Sequence, residues 1–167
     1  MLVGQWRGNC LCKNEPKRNK WFSSLKEALL QLLDQKSFEK ITISQLVITA
    51  GVARSTFYRH FTDKLDFVRF LIQQELTAFD QQYHPQTIKE RFQKEYMREV
   101  WRYLLRDQRA VLGLERAGLS YLYLEELNKH LLTLYPYSMT TEEQIELFGL
   151  AGAQYNIIFN LFVKKHH

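Results

Sequence analysis

The sequence predicts an all-α protein, on three observations. Apolar residues recur at intervals of three and four along most of the chain, the spacing that lays a stripe on a helix. Only three prolines and seven glycines fall in 167 residues, which leaves long stretches free to be helical. Thr-x-x-Gln and Thr-x-x-Glu signatures stand where helices would begin. With 46% hydrophobic and 14% aromatic residues, the chain has the material for a packed core rather than for disorder.

The elements follow in order. From Trp21, apolar Phe22, Leu25, Leu29, Leu32 and Leu33 mark a first helix ending near Gln35, after a flexible basic leader over residues 1–20. Thr42-Ile43-Ser44-Gln45 reads as a capping box for a short second helix, which Gly51 ends by taking a left-handed conformation. A third helix, Ala53 to Phe61, carries Phe57 and Phe61 on its inner edge and leaves Arg54, Ser55, Thr56, Tyr58, Arg59 and His60 on its other faces. Asp63 caps a fourth helix with the stripe Leu65, Val68, Ile72, Leu76 and Phe79.

His84-Pro85 marks the boundary between a first domain, 21–83, and a second, 84–167. There, Ile88, Phe92, Tyr96, Val100 and Leu104 describe a fifth helix, Gln108 to Leu114 a sixth, and Tyr121, Leu124, Leu127, Leu131 and Leu134 a seventh that Pro136 closes. The last helix opens at Thr140-x-x-Glu143 or Thr141-x-x-Gln144 and runs to about Lys164. One of its stripes holds Ile145, Phe148, Gly152, Tyr155, Phe159 and Phe162, a second Leu147, Leu150, Ala151, Ile158 and Leu161. A helix so apolar on most sides asks for a partner subunit, so Phe148, Gly152, Tyr155, Phe159 and Phe162 are the expected homodimer contacts.

Charge narrows the function. The formal net charge is +5, yet residues 1–64 hold eleven Lys/Arg against five Asp/Glu and the remainder twelve against thirteen. The basic surplus sits with the capped helix, the glycine turn and the short basic helix, a package that suits a recognition helix entering a major groove. Arg54 and Arg59 can donate paired hydrogen bonds to guanine edges, and Ser55 and Thr56 can reach bases or a thymine methyl. Tyr58, His60 and Lys64 are placed for phosphates.

The run Thr42 to Lys64, TISQLVITAGVARSTFYRHFTDK, resembles the helix-turn-helix signature of the TetR family of bacterial transcriptional regulators, and the likeness extends over roughly residues 21 to 70. It supplies Thr42, Ala50-Gly51-Val52, Thr56, Phe57, Tyr58, His60, Phe61 and Lys64. The resemblance implies that Thr42, Tyr58, His60 and Lys64 hold the DNA backbone while Ser44, Arg54, Ser55, Thr56 and Arg59 face the groove. Ala53 stands where that family commonly has a capping Ser, and Val47 where it has a small residue. The basic arm Lys17-Arg18-Asn19-Lys20 is a candidate for phosphate or minor-groove contact.

The resemblance also implies a helical regulatory domain with an effector cavity and a dimer built on the last two helices, of which this chain is expected to lack the final one. Tyr96, Trp101, Tyr103, Tyr121 and Tyr155 are candidates to line a pocket, with a small molecule or a protein as effector. The expected function is a transcriptional regulator of the repressor type, binding a palindromic double-stranded DNA operator as a homodimer. The alternative is a helical protein-interaction module or co-regulator answering to a protein partner.

Other classes find little. His60, His84, His130, His166 and His167 form no H-E-x-x-H pair, and there is neither a phosphate loop nor a nucleophile motif, so no enzyme and no cofactor are expected. Glu126 and His130, four apart, read as a surface contact on one helix. Cys10 and Cys12 lack a second pair to complete a metal site. No stretch has the roughly 18 apolar residues of a membrane span, nor the opening the apolar core of a signal peptide, so a cytoplasmic protein is expected.

Overall fold

The computed structural model describes residues 15–83, 85–135 and 138–163, and among these every regular element is helical. Cys10, Cys12, His84 and the last four residues lie outside them, as do the side chains of residues 15–19, Leu161 and Phe162. Helix α1 spans Glu15–Leu33 and so begins before Trp21. An acidic residue and a proline suit a first turn, whose N–H groups have no partners within the helix. The backbone of residues 15–20 is therefore helix rather than the flexible leader expected.

A 3₁₀ turn, Phe38–Lys40, leads into α2, Ile43–Ala50. The capping box at Thr42 is present: its hydroxyl accepts from the Gln45 N–H at 3.2 Å, and the Gln45 side chain accepts from the Thr42 N–H at 3.1 Å. Gly51 takes φ 64°, a value that side chains beyond glycine rarely adopt, and turns the chain into α3, Arg54–His60. Helix α4, Lys64–Tyr83, is capped by Asp63, whose Oδ1 accepts from Leu65 N at 2.7 Å and Asp66 N at 2.8 Å.

The single fifth helix of the sequence reading is two. A short α5, Ile88–Arg91, precedes α6, Lys94–Arg106, and the break turns Phe92 out to 48% exposure while Arg91 is buried at 3%. Arg91 goes inward because it finds partners: Asp80 Oδ1 at 3.0 Å, Tyr96 Oη at 2.5 Å and Tyr135 Oη at 2.8 Å. Helices α7, Gln108–Arg116, and α8, Ser120–Leu134, follow. Helix α9, Thr141–Tyr155, opens on the Thr140/Glu143 capping box and passes directly into a π-helical segment, Asn156–Val163.

One core cluster runs from Leu25 on α1 to Val163, so the two halves share their interior. Helix α1 packs on α2 and α7, α4 on α8, and α8 on α9. Arg109 and Arg116 on α7 pair with Asp34 beyond the end of α1, and Arg109 also with Glu27. Glu126 and His130 are not a surface pair. Glu126 is 1% exposed and accepts from Arg69 at 2.6 Å and Gln73 at 2.7 Å on α4, as well as from Lys129 at 2.8 Å, and His130 bonds to Asp80. Desolvation pushes the Glu126 pKa up, but these donors outweigh it and hold the carboxyl below its ordinary value.

Candidate nucleic-acid interface

Helix α3 is held by one edge. Phe57 is fully buried and Phe61 nearly so, and their rings lie 5.3 Å apart, each within about one ring's width of Phe67 on α4. Phe22 of α1 packs edge-on against Phe67 and Phe70, closing an aromatic cluster that fixes α3 to α1 and α4. Val47 is likewise buried, within the α2 side of the core.

The opposite edge is exposed and basic. Arg54, Ser55, Tyr58 and Arg59 face solvent, and no carboxylate occurs in the sequence between Glu39 and Asp63. The Arg54 guanidinium donates to Ser44 Oγ at 3.2 Å and to Tyr58 Oη at 3.4 Å, and lies 5.4 Å from the Tyr58 ring centre. These bonds tie α2 to α3 across the turn and preorganise Arg54. Arg59 makes no ion pair among the described residues and projects from the last turn. Thr56 is half-buried, Thr42 is exposed with its hydroxyl committed to the cap, and Ala53 provides no side-chain cap to α3.

Of the expected phosphate contacts, Lys64 is engaged within the chain, while His60 stays exposed beside Trp21. Lys64 turns back to the 3₁₀ turn, where its ammonium donates to the carbonyls of Phe38 at 2.5 Å, Ile41 at 2.9 Å and Glu39 at 3.2 Å. It also sits 4.4 Å from the Phe38 ring centre. Desolvation pulls its pKa below the ordinary lysine value. An ammonium has three donors and all three are used, so Lys64 braces the entry to α2 rather than reaching outward. The His60 ring stacks on Trp21 of α1, 4.9 Å between centres and 23° between planes.

The aromatic residues expected to line a pocket separate. Tyr103 lines a cavity of about 100 Å³ between α1 and the later helices, and Tyr96 and Tyr103 line an adjoining one of about 40 Å³. Trp101 borders a void of only about 10 Å³. Tyr121 is exposed, and Tyr155 packs on Phe159 with its hydroxyl 3.4 Å from Ser120. Of the expected dimer contacts, Phe148 is exposed and Gly152 and Tyr155 half-exposed, but Phe159 is 2% exposed within its own chain's core. The π segment accounts for that: its wider turn advances less around the axis per residue and swings Phe159 inward beside Ile158.

A short helix anchored by buried aromatics, set after a left-handed glycine turn and presenting an acid-free basic edge, defines a helix-turn-helix domain of the DNA-reading class. Residues 25–69 match the family described as bacterial regulatory proteins, tetR family, and over this domain the chain is similar to that family. Two HTH-type transcriptional regulators of Staphylococcus aureus are similar to it. SAB2452, from strain bovine RF122 / ET3-1, is 30% identical over 99 residues, covering 56% of this chain and 52% of the relative. MW2498, from strain MW2, is 31% identical with the same coverage. The chain thus matches about half the length of these relatives. The crystal structure of Lin0861 from Listeria innocua shares the fold, with a TM-score of 0.66 at 17% identity over 90% of this chain and 85% of that one.

Proposed function

We propose that the chain is a transcriptional regulator, acting as a repressor, that binds a palindromic duplex operator as a homodimer and is modulated through its C-terminal helices. The single observation that carries this reading is the outer edge of α3. Arg54, Ser55, Tyr58 and Arg59 stand exposed on a helix whose position is fixed by Phe57 and Phe61. Arg59 reads a base edge, Arg54 reads a second with its fork oriented by Ser44 and Tyr58, and Tyr58, Thr42 and His60 contact the flanking backbone.

Support for the dimer comes from α9. Ile145 is 65% exposed and Phe148 45%, and beside them Gly149 and Gly152 have open space where a Cβ would stand. Two apolar side chains flanked by glycines let a second helix approach closely, as a two-fold interface requires. Modulation is supported by the core shared between α1 and the C-terminal helices.

The test is selection of bound duplexes from genomic fragments, followed by binding of the selected site and a scrambled one over a range of salt. The expected result is a palindromic site, at least about a thousandfold preference for it and a steep salt dependence. Arg59→Ala should flatten the sequence ranking by about 1–3 kcal/mol at one base pair. Equal binding to selected and scrambled duplexes would refute the reading.

A further inference from the structure

The cavity of about 100 Å³ lies where the DNA-reading half meets the rest of the chain. One wall is α1, through Leu29, Leu30 and Leu33, and the others come from α4, α6 and α7, including Ile72, Leu104 and Val111. At its rim Lys26 pairs with Glu75 at 3.0 Å and Asp107 at 2.7 Å, and Tyr103 donates to Glu75 at 3.2 Å. The Arg106 guanidinium covers the Tyr103 ring at 4.4 Å. The rim therefore balances two cations against two carboxylates, each engaged with another protein group.

We infer that this cavity is a binding site for a small, neutral, apolar molecule of about one ring. Size and lining argue for the ring: an apolar protein cavity of about 150 Å³ stays dry and takes up benzene, and a dry void forfeits contacts that such a ligand restores. Electrostatics argues for neutrality. A charged ligand would lose its hydration and find no unpaired counter-charge, since the rim charges satisfy one another. The adjoining 40 Å³ cavity offers none either, because Arg91, Asp80 and His130 are bonded together there.

Occupancy would be felt by the DNA-reading half through α1. Residues 26, 29, 30 and 33 face the cavity, and Leu25, Ala28 and Leu32 on the adjacent side of the same helix are buried in the core beneath α2 and α3. That coupling rests on the function proposed above; binding in the cavity does not.

The experiment uses the full chain and three isosteric probes: toluene, benzoate and benzylammonium. Toluene should raise the melting temperature and bind saturably, shifting the methyl resonances of Leu29, Leu33 and Ile72, while the two ions bind at least tenfold more weakly. Ala117 also lines the cavity and is 6% exposed; Ala117→Leu should weaken toluene at least tenfold. No saturable toluene binding, equal binding of a charged isostere, or toluene shifts confined to other methyl groups would each overturn the inference. The methyl map decides even if Ala117→Leu does not fold. Duplex affinity measured in the same samples separates the two readings: toluene binding without any duplex binding would sink the regulator and leave the site standing.

Discussion

Replacing Lys64 by Met separates a brace from a phosphate contact. Met keeps most of the apolar stem and deletes the ammonium, so the change removes three hydrogen bonds to the carbonyls of Phe38, Glu39 and Ile41 together with the contact over the Phe38 ring. A hydrogen bond from a charged group contributes about 1.5–3 kcal/mol, and the carbonyls of Phe38 and Ile41 are partly buried, so water replaces the donor incompletely. The cation–ring contact at a half-exposed site adds about 0.5–1 kcal/mol. Because the Glu39 carbonyl is exposed and Lys64 itself only half-buried, water offsets much of the sum, and the expected net loss is about 2–4 kcal/mol, which for a chain of this size lowers the melting temperature by about 5–15 °C. The assay is thermal unfolding, paired with duplex affinity measured against salt at a temperature where both proteins are folded. As a brace, Lys64 leaves the salt slope unchanged. A variant with native melting temperature and a slope smaller by about one would show instead that the ammonium neutralises a phosphate.

Phe57→Ala should cost about 3–5 kcal/mol in chemical denaturation, because the ring is fully buried among Phe61 and Phe67. Gly113→Ala places a Cβ 2.9 Å from the end of Leu30, whose methyl can yield into the adjoining cavity, so stability should change by less than about 1 kcal/mol while toluene affinity falls. Desolvation pushes the Asp80 pKa up, but the His130 hydrogen bond and the Arg91 charge outweigh it and hold it below the ordinary value. The stability it contributes is present above the unfolded Asp pKa of about 3.9 and is lost as pH falls through the lower folded value. Asp80→Asn should therefore be less stable at pH 7 and show a flatter stability–pH slope below about pH 4. Phe148→Glu should convert a dimer into a monomer by sedimentation at micromolar concentration, and a monomeric parent would refute the proposed α9 interface.

The helix-turn-helix was legible because its determinants are local. A capping box, a left-handed glycine and two phenylalanines four apart each act within one or two turns, and Thr42, Gly51 and Phe57 do in the structure what their spacing predicts. The inward turn of Lys64 was not legible because its partners lie 23 to 26 residues away, in and beside a 3₁₀ turn with no periodic signature. The fifth helix was misread for a related reason. The apolar pattern counted Phe92 as core and gave Arg91 no place, because burial of Arg91 depends on Asp80 and Tyr135, which no local rule connects to it. Thr87-x-x-Glu90 was the available signal, since Thr87 caps α5 by accepting from Glu90 N at 3.2 Å.

The polar contacts between α4 and α8 set the geometry that α3 depends on. Arg69, Gln73 and Asp80 on α4 meet Glu126 and His130 on α8 around a mostly apolar seam of Ile72, Leu76, Leu127 and Leu131. An apolar seam alone can slide by a turn with modest loss, because one leucine substitutes for another. Sliding α4 by a turn would instead strip Glu126 and Asp80 of their donors in a buried setting, at several kcal/mol for each carboxylate. Only three residues separate the end of α3 from the start of α4, with Asp63 capping its first turn. Its register against α8 therefore dictates where the Arg54–Arg59 edge stands relative to the C-terminal helices, and any effector that moves that edge has to break or carry these pairs with it.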